Sequence, residues 1–293
     1  MSSPQLSSRL KNKKILVTGA NGFLGKYLIK QLNGLCREVA VYDGDIKKIH
    51  QFHRPYDIVC HLAAITKVTS PDQYKLLLDT NIMGTLSVMN YCQQYKSKCV
   101  FASSAAVYQP TVHKKYLSER SPLNPISLYG YSKVVSENIC QFYSDNFNIP
   151  VTILRIFNMY GPGQKDLFLI PYIMNHLLNN KSIYLKTPKA VRDFIYVTDV
   201  VQAFILACAY SNKGLNIFNV GTGKECSIDK VAKLIKKELN AMDKNMIIKR
   251  VKNTKKNYVV SNTEKIKNIL SWSPQTSLSQ GISLMYKDIK RVI

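Results

Sequence analysis

At 293 residues the chain is long enough for one large core or two smaller ones, and 46% hydrophobic content is that of a soluble globular protein. No apolar run approaches the ~18 residues of a membrane span. Met1 to Lys14 is polar and basic without the apolar stretch of a secretory signal, so a cytoplasmic protein is expected.

The 41 basic and 18 acidic residues give a net charge of +23, a field that favours polyanions. The lysines are spread out, however. The richest stretches, Lys11 to Lys14 and Lys244 to Lys256, lack the interleaved aromatics of a single-strand groove, so nucleic acid is not the expected partner.

Lys14 to Thr18 reads as a buried strand and leads into Gly19-Ala20-Asn21-Gly22-Phe23-Leu24-Gly25, followed by an amphipathic run from Lys26 to Leu35. Strand, glycine turn and helix in that order are the context of a dinucleotide fingerprint. The turn lets the backbone approach a pyrophosphate, and the helix N-terminus presents free N–H groups to it. Further strands are predicted at Glu38 to Tyr42, Asp57 to Leu62, Cys99 to Ala102, Val151 to Ile156 and Asn216 to Val220. Helices are predicted at Asp79 to Tyr95 and Ser132 to Asn146. This alternation predicts an α/β fold with a Rossmann-like doubly wound parallel sheet. Only 14 residues separate Tyr42 from Asp57, room for one short helix, so the first half of the sheet is expected to be shortened. The pattern changes around Tyr160 to Gly163. The predicted division is 1–157 plus 191–220 for the dinucleotide part and 158–190 plus 221–293 for a smaller substrate-binding part.

Seven scattered cysteines (Cys36, Cys60, Cys92, Cys99, Cys140, Cys208 and Cys226) form no Cys-x-x-Cys and read as reduced core thiols, and no metal site is read. Chemistry is carried by Tyr129 and Lys133, which at i and i+4 share one helix face. Oxidising a hydroxyl needs a base, and the lysine charge is expected to lower the tyrosine pKa from about 10. Ser104, at the end of its strand, is placed to bond the same substrate oxygen. Tyr131 lies two residues from Lys133 on another face, and Ser103 is expected to pack or to meet backbone.

These residues resemble the extended short-chain dehydrogenases/reductases of the NAD-dependent epimerase/dehydratase family, which act on nucleotide sugars. The likeness runs from about residue 14 to 275 through the glycine turn, His61-Leu62-Ala63-Ala64, Asn81 with Gly84-Thr85, Ser103 to Tyr108, Leu128 to Lys133, Arg155 to Gly163, Arg192 to Val197 and Asn219 to Gly223. The resemblance implies that Ser104, Tyr129 and Lys133 are catalytic and that Gly19, Asn21, Gly22, Phe23, Leu24 and Gly25 line the pyrophosphate. It implies that Leu62, Ala63, Ala64 and Asn81 border the cofactor, and that Asn158 and Arg192 touch the sugar diphosphate. A turn-forming Asn158, or an ion pair of Arg192 with Asp193 or Asp199, is the competing reading. Asp43 either binds the adenosine ribose from the end of the second strand, or Gly44-Asp45-Ile46 is a remnant of the family's third-strand signature beside the adenine. NAD is the expected cofactor, with NADP left open by Lys47 and Lys48.

Dehydratases of the family carry Asp-Glu after the serine, and related decarboxylases carry Glu at the second position. Here Ala105 and Ala106 stand there, and neither moves a proton. What remains is 4-epimerisation of a nucleotide-linked hexose through a 4-keto intermediate, or NAD(P)H-dependent reduction of a 4-keto-6-deoxy sugar. A non-catalytic relative that binds RNA or senses cofactor is a further alternative, which the intact trio opposes. The family often pairs through two such helices, so a homodimer is expected.

Overall fold

The computed structural model describes residues 8–211, 213–239, 248–250 and 256–292, so most of the Lys244 to Lys256 run lies outside the described residues. The plan of the fold is visible in β1 (Lys14–Thr18), where successive side chains face opposite ways. Ile15 and Val17 enter one apolar cluster and Leu16 enters another. β2 (Glu38–Tyr42), β3 (Ile58–His61), β4 (Lys98–Ser104), β5 (Val151–Ile156) and β10 (Leu215–Val220) complete a six-stranded sheet in the order β10-β5-β4-β3-β1-β2. Every pairing in it is parallel. Helices α1 (Phe23–Leu32) and α6 (Val197–Ala209) pack together against the Ile15–Val17 face. α2 (Gln73–Leu78) runs through a π-helical turn at Asp79–Met83 into α3 (Gly84–Tyr95), which packs with α4 (Leu128–Phe147). Those two helices cover the Leu16 face.

Between β2 and β3 the chain makes only a 3-10 helix at Ile46–Gln51, which leaves β2 as a bare sheet edge, as the short spacing requires. α1 starts three residues before the expected Lys26, because the extended Gly22 already serves as its N-cap. α4 starts four residues before the expected Ser132, since Ser127 Oγ accepts from Gly130 N at 3.1 Å. Tyr129 is thereby placed in the first turn of α4 and not in a loop.

The second part is built from small pairings. β6 (Asn158–Tyr160) runs beside β9 (Phe194–Tyr196), and β7 (Ile183–Leu185) beside β12 (Ile248–Arg250). β8 (Val191–Arg192) lies between β11 (Cys226–Ser227) and β13 (Tyr258–Val259). α5 (Leu169–Leu178), α7 (Ile228–Glu238), α8 (Glu264–Leu270) and α9 (Leu278–Val292) pack around them. Within the stretch 191–220, β8 joins the small sheet, and β10 joins the large one. Asp193, fully buried, ties these pieces together: it accepts from Thr222 N at 2.8 Å, Gly223 N at 2.9 Å and Ser261 Oγ at 2.5 Å. Asp199 holds the C-terminal segment by accepting from Gln275 N at 3.0 Å and Thr276 N at 3.1 Å.

Candidate active site

A cleft of about 1090 Å³ opens at the carboxyl ends of β1, β3 and β4, where open parallel sheets bind ligands. It exceeds the ~300–1,000 Å³ of a pocket for one drug-sized ligand. One wall is the glycine turn. Gly19 has φ +69°, and a Cβ there would stand 2.6 Å from Ala63 N, so both its conformation and its neighbour demand glycine. A Cβ on Gly22 would sit 3.0 Å from Gly19 O, and one on Gly25 would collide with Gly19 O and Ala20. No side chain caps the N-terminus of α1. The narrow glycine cradle and the uncapped helix end fit a dinucleotide pyrophosphate.

The structure brings Asn21, Gly22, Phe23, Leu24, Gly25, Leu62, Ala64, Ser104, Tyr129, Lys133, Asn158 and Arg192 to the lining of this one cleft, with Gly19 at its base. Ala63 and Asn81 are outside the lining. Ala63 is half-buried and gives its N–H to Thr18 Oγ1 at 3.3 Å. Asn81 is 1% exposed and uses its whole amide internally: Oδ1 accepts from Ile65 N at 2.8 Å, and Nδ2 donates to Ile65 O at 3.0 Å and to Ser132 Oγ at 2.9 Å. It clamps the loop after β3 to the helix that carries Tyr129. Asp43, Asp45 and Ile46 are outside the lining too: Asp43 is exposed just past β2, whereas Asp45 caps the 3-10 helix by accepting from Lys47 N at 3.1 Å. Ile46 is buried beneath Gly84. Arg192 donates to Val191 O at 2.8 Å and Asn257 Oδ1 at 2.7 Å, so the ion-pair reading of that residue is not realised in the structure.

Ser104 Oγ accepts from Ala106 N at 3.1 Å and stands beside the Tyr129 phenol. Lys133 Nζ donates to Ala102 O at 2.8 Å and lies 5.9 Å from the Tyr129 ring centre. The expected depression of the Tyr129 pKa is not found. Burial pushes the phenol up to about 12, with the Ser104 hydroxyl opposing, and burial pushes Lys133 down to about 8. Desolvation, and not the cation one turn away, sets the direction at this depth. His61, behind them, is pressed to about 3 by burial and by the Lys133 charge. Its ring nitrogens meet Thr18 Oγ1 at 2.9 Å and Thr85 Oγ1 at 3.1 Å. Thr85 Oγ1 donates to Asn81 O, which assigns the proton of the neutral ring to Nε2. Tyr131, at 53% exposure, points away into solvent.

Ser103 differs from expectation: its hydroxyl donates to the Glu137 carboxylate at 2.5 Å. Glu137 in turn takes a bidentate contact from Arg155, with Nη2 at 2.6 Å and Nε at 3.0 Å. Ala105 is buried among Val107, Tyr108 and Leu117, and the Ala106 carbonyl packs on Gly130.

Several cleft residues carried no sequence signal. Lys67 crosses the mouth to donate to Leu167 O at 2.5 Å, and Tyr27 of α1 donates to Pro162 O at 2.8 Å. Gln164, whose Oε1 is buried with no partner, lines the substrate side along with Tyr184 and Lys186. Tyr27, Lys67 and Gln164 each lie within three residues of a motif, whereas Tyr184 and Lys186 lie beside none.

A model of the NAD dependent epimerase/dehydratase family matches residues 15–221. The chain is 32% identical over 248 residues to a dTDP-D-glucose 4,6-dehydratase of Dictyostelium discoideum, covering 78% of this chain but only 57% of that protein. It is 29% identical over 327 residues to UDP-glucuronic acid decarboxylase 6 of Arabidopsis thaliana, covering 99% of this chain and 93% of that one. Among solved structures it resembles the UDP-glucose 4-epimerase of Thermotoga maritima with UDP-glucose, with a TM-score of 0.86, 27% identity, and coverage of 95% and 99%. The matched stretch contains all of the large sheet but Lys14, together with the Ser104–Tyr129–Lys133 corner. The chain belongs to the NAD-dependent epimerase/dehydratase family.

Proposed function

We propose that the chain is an NAD-dependent enzyme that inverts C4 of a nucleotide-linked hexose. The observation that carries this reading is the pairing of an assembled Ser104–Tyr129–Lys133 corner with alanine at both following positions. Relatives of this chain include a dehydratase, a decarboxylase and an epimerase. Of these, elimination and decarboxylation ask for an acid or base where Ala105 and Ala106 have none. Ser104 and Tyr129 suffice to hold the 4-hydroxyl oxygen and to move its proton. NAD, when bound, supplies the hydride acceptor and a positive ring whose charge favours the Tyr129 phenolate. Lys133, as a cation, stabilises the same phenolate. In this reading the glycine turn with Leu62 and Ala64 holds the dinucleotide, and Asn158 and Arg192 face the sugar diphosphate. The nucleotide part is 1–157 plus 191–220. A homodimer formed through α3 and α4 is supported by the outward Tyr131, Val135 and Phe142, each between 39% and 54% exposed.

Reduction of a 4-keto nucleotide sugar is the second reading. It is favoured by the Tyr129 pKa near 12, which leaves the phenol protonated as an acid. Cofactor accounting separates the two. An epimerase returns each hydride to the sugar and regenerates its NAD. We expect purified protein to carry bound NAD and to interconvert a UDP-hexose pair differing at C4 without added reductant. Inert UDP-, dTDP-, GDP- and CDP-hexoses, with stoichiometric loss of NAD(P)H absorbance on a 4-keto-6-deoxy nucleotide sugar, would establish the reductase.

A further inference from the structure

Three residues spaced by one turn of α4 grip three consecutive residues at the end of β4. Tyr129 stands beside Ser104, Lys133 donates to Ala102 O at 2.8 Å, and Glu137 accepts from Ser103 Oγ at 2.5 Å. The first two belong to the site described above. Glu137 lies outside the cleft lining, yet it is 4% exposed and is held by the 3% exposed Arg155 of β5. Arg155 continues the network by donating from Nη1 to Tyr108 OH at 2.9 Å and to Glu119 O at 3.0 Å. Tyr108 OH donates to Asn219 Oδ1 at 2.7 Å. A buried ion pair is weak evidence for stability, because an apolar pair of like shape often serves as well. Its placement, one turn beyond the lysine of the reactive pair, calls for another account.

We infer that Glu137 is a positioning residue for the Tyr129–Lys133 pair, fixing the register of α4 on the end of β4 and supplying the full negative charge that keeps Lys133 a cation. The groups facing Lys133 can be taken element by element. On α4 they are Tyr129, Glu137 and Cys140; on β4, the Ala102 carbonyl and the Phe101 ring at 4.6 Å; on β3, His61. His61 is neutral at physiological pH. Burial lowers the Lys133 pKa, and charges on Cys140 and Glu137 would oppose it. The Cys140 thiol is itself held well up by its hydrogen bond to Cys99 and by burial, so it carries no charge near neutrality. Glu137, in bidentate contact with Arg155, is left as the one carboxylate among these groups.

The sign follows. Replacing Glu137 by Gln removes the anion and leaves Arg155 uncompensated nearby, and both changes push Lys133 towards the neutral amine at lower pH. Glu137→Gln should therefore lower kcat by about 10–100-fold, as displacement of a reacting group does. It should also move the alkaline limb of the rate profile down by about one pH unit. Glu137→Asp keeps the charge but retracts it from Ser103, so kcat should fall while the limb stays in place. A limb unmoved in Glu137→Gln, or full activity in Glu137→Asp, overturns the inference, and the Asp variant still decides if the Gln variant fails to fold. The kinetic arm rests on the nucleotide-sugar reading. A parallel arm does not: the side-chain 15N signal of Lys133, assigned by its loss in Lys133→Met, titrates without substrate. A wild-type protein inert towards every nucleotide sugar would sink that reading and leave this titration standing. A Lys133 midpoint equal in wild type and Glu137→Gln would sink the charge role of Glu137 alone.

Discussion

At one end of the cleft, Tyr129, Lys133 and Ser104 are backed by His61, Asn81, Ser103, Glu137 and Arg155, all buried and each hydrogen-bonded within the protein. At the edge of the large sheet, by contrast, β2 is bare, Val41 is 43% exposed, and Asp43 stands in solvent. The first region has no freedom to drift. Each buried polar group there needs its partner, and loss of one leaves another unsatisfied. The second region answers to water, so its residues can change with little effect on the rest of the protein. Rigidity is concentrated around the Tyr129–Lys133 corner, and latitude at the open edge of the sheet.

The comparison is broken most directly at the rigid end. Tyr129→Phe should cut turnover about 10²–10⁴-fold, the usual worth of a positioned acid or base, with cofactor affinity nearly unchanged. Wild-type turnover in that variant would remove Tyr129 from the chemistry, and Tyr131→Phe is the control.

The backing of the rigid end is tested by acid. His61 is pressed from 6.5 to about 3, so below pH 6.5 the unfolded chain takes up a proton that the folded one refuses. Stability is whole above that pH and declines as the pH falls, by about 2 kcal/mol from this group between pH 6.5 and 5. Melting curves across that window should flatten in His61→Asn. A slope untouched by the substitution would assign the acid loss to other groups.

The smallest effects belong to the open end. If Asp43 accepts the adenosine ribose hydroxyls, Asp43→Ala should weaken NAD about tenfold, the worth of one or two charged hydrogen bonds, and narrow its margin over NADP. Asp45→Ala removes a helix cap worth about 1 kcal/mol and should leave the cofactor ratio alone. Equal weakening of both cofactors by the Asp45 change would return that residue to the adenine.

The same contrast governs what could be read from the sequence. Strands buried on both faces announce themselves as apolar runs, so β1 and β5 fall on the expected residues, as does the half-buried edge strand β2, and the shortened first half was a matter of counting 14 residues. The Tyr-x-x-x-Lys pair is local in the chain and was legible for that reason. Asn81 was not. Its role depends on Ile65, 16 residues away, and Ser132, 51 residues away, and no local pattern encodes either. The direction of the Tyr129 pKa was also hidden, because i, i+4 spacing reports the neighbouring cation but not the depth at which both groups lie. Ser103 looked like a packing residue since its partner Glu137 sits 34 positions on, joined to it only by the docking of a helix on a strand.

The two contacts across the mouth of the cleft bear on traffic. Tyr27 and Lys67, both from the nucleotide side, grip the carbonyls of Pro162 and Leu167 at either end of one exposed segment. Each such bond contributes only about 0.5–1.5 kcal/mol net, so thermal motion breaks either one readily, whereas a gap at both points requires the two to fail together. A dinucleotide lying along the glycine turn would therefore meet a doorway latched at two points.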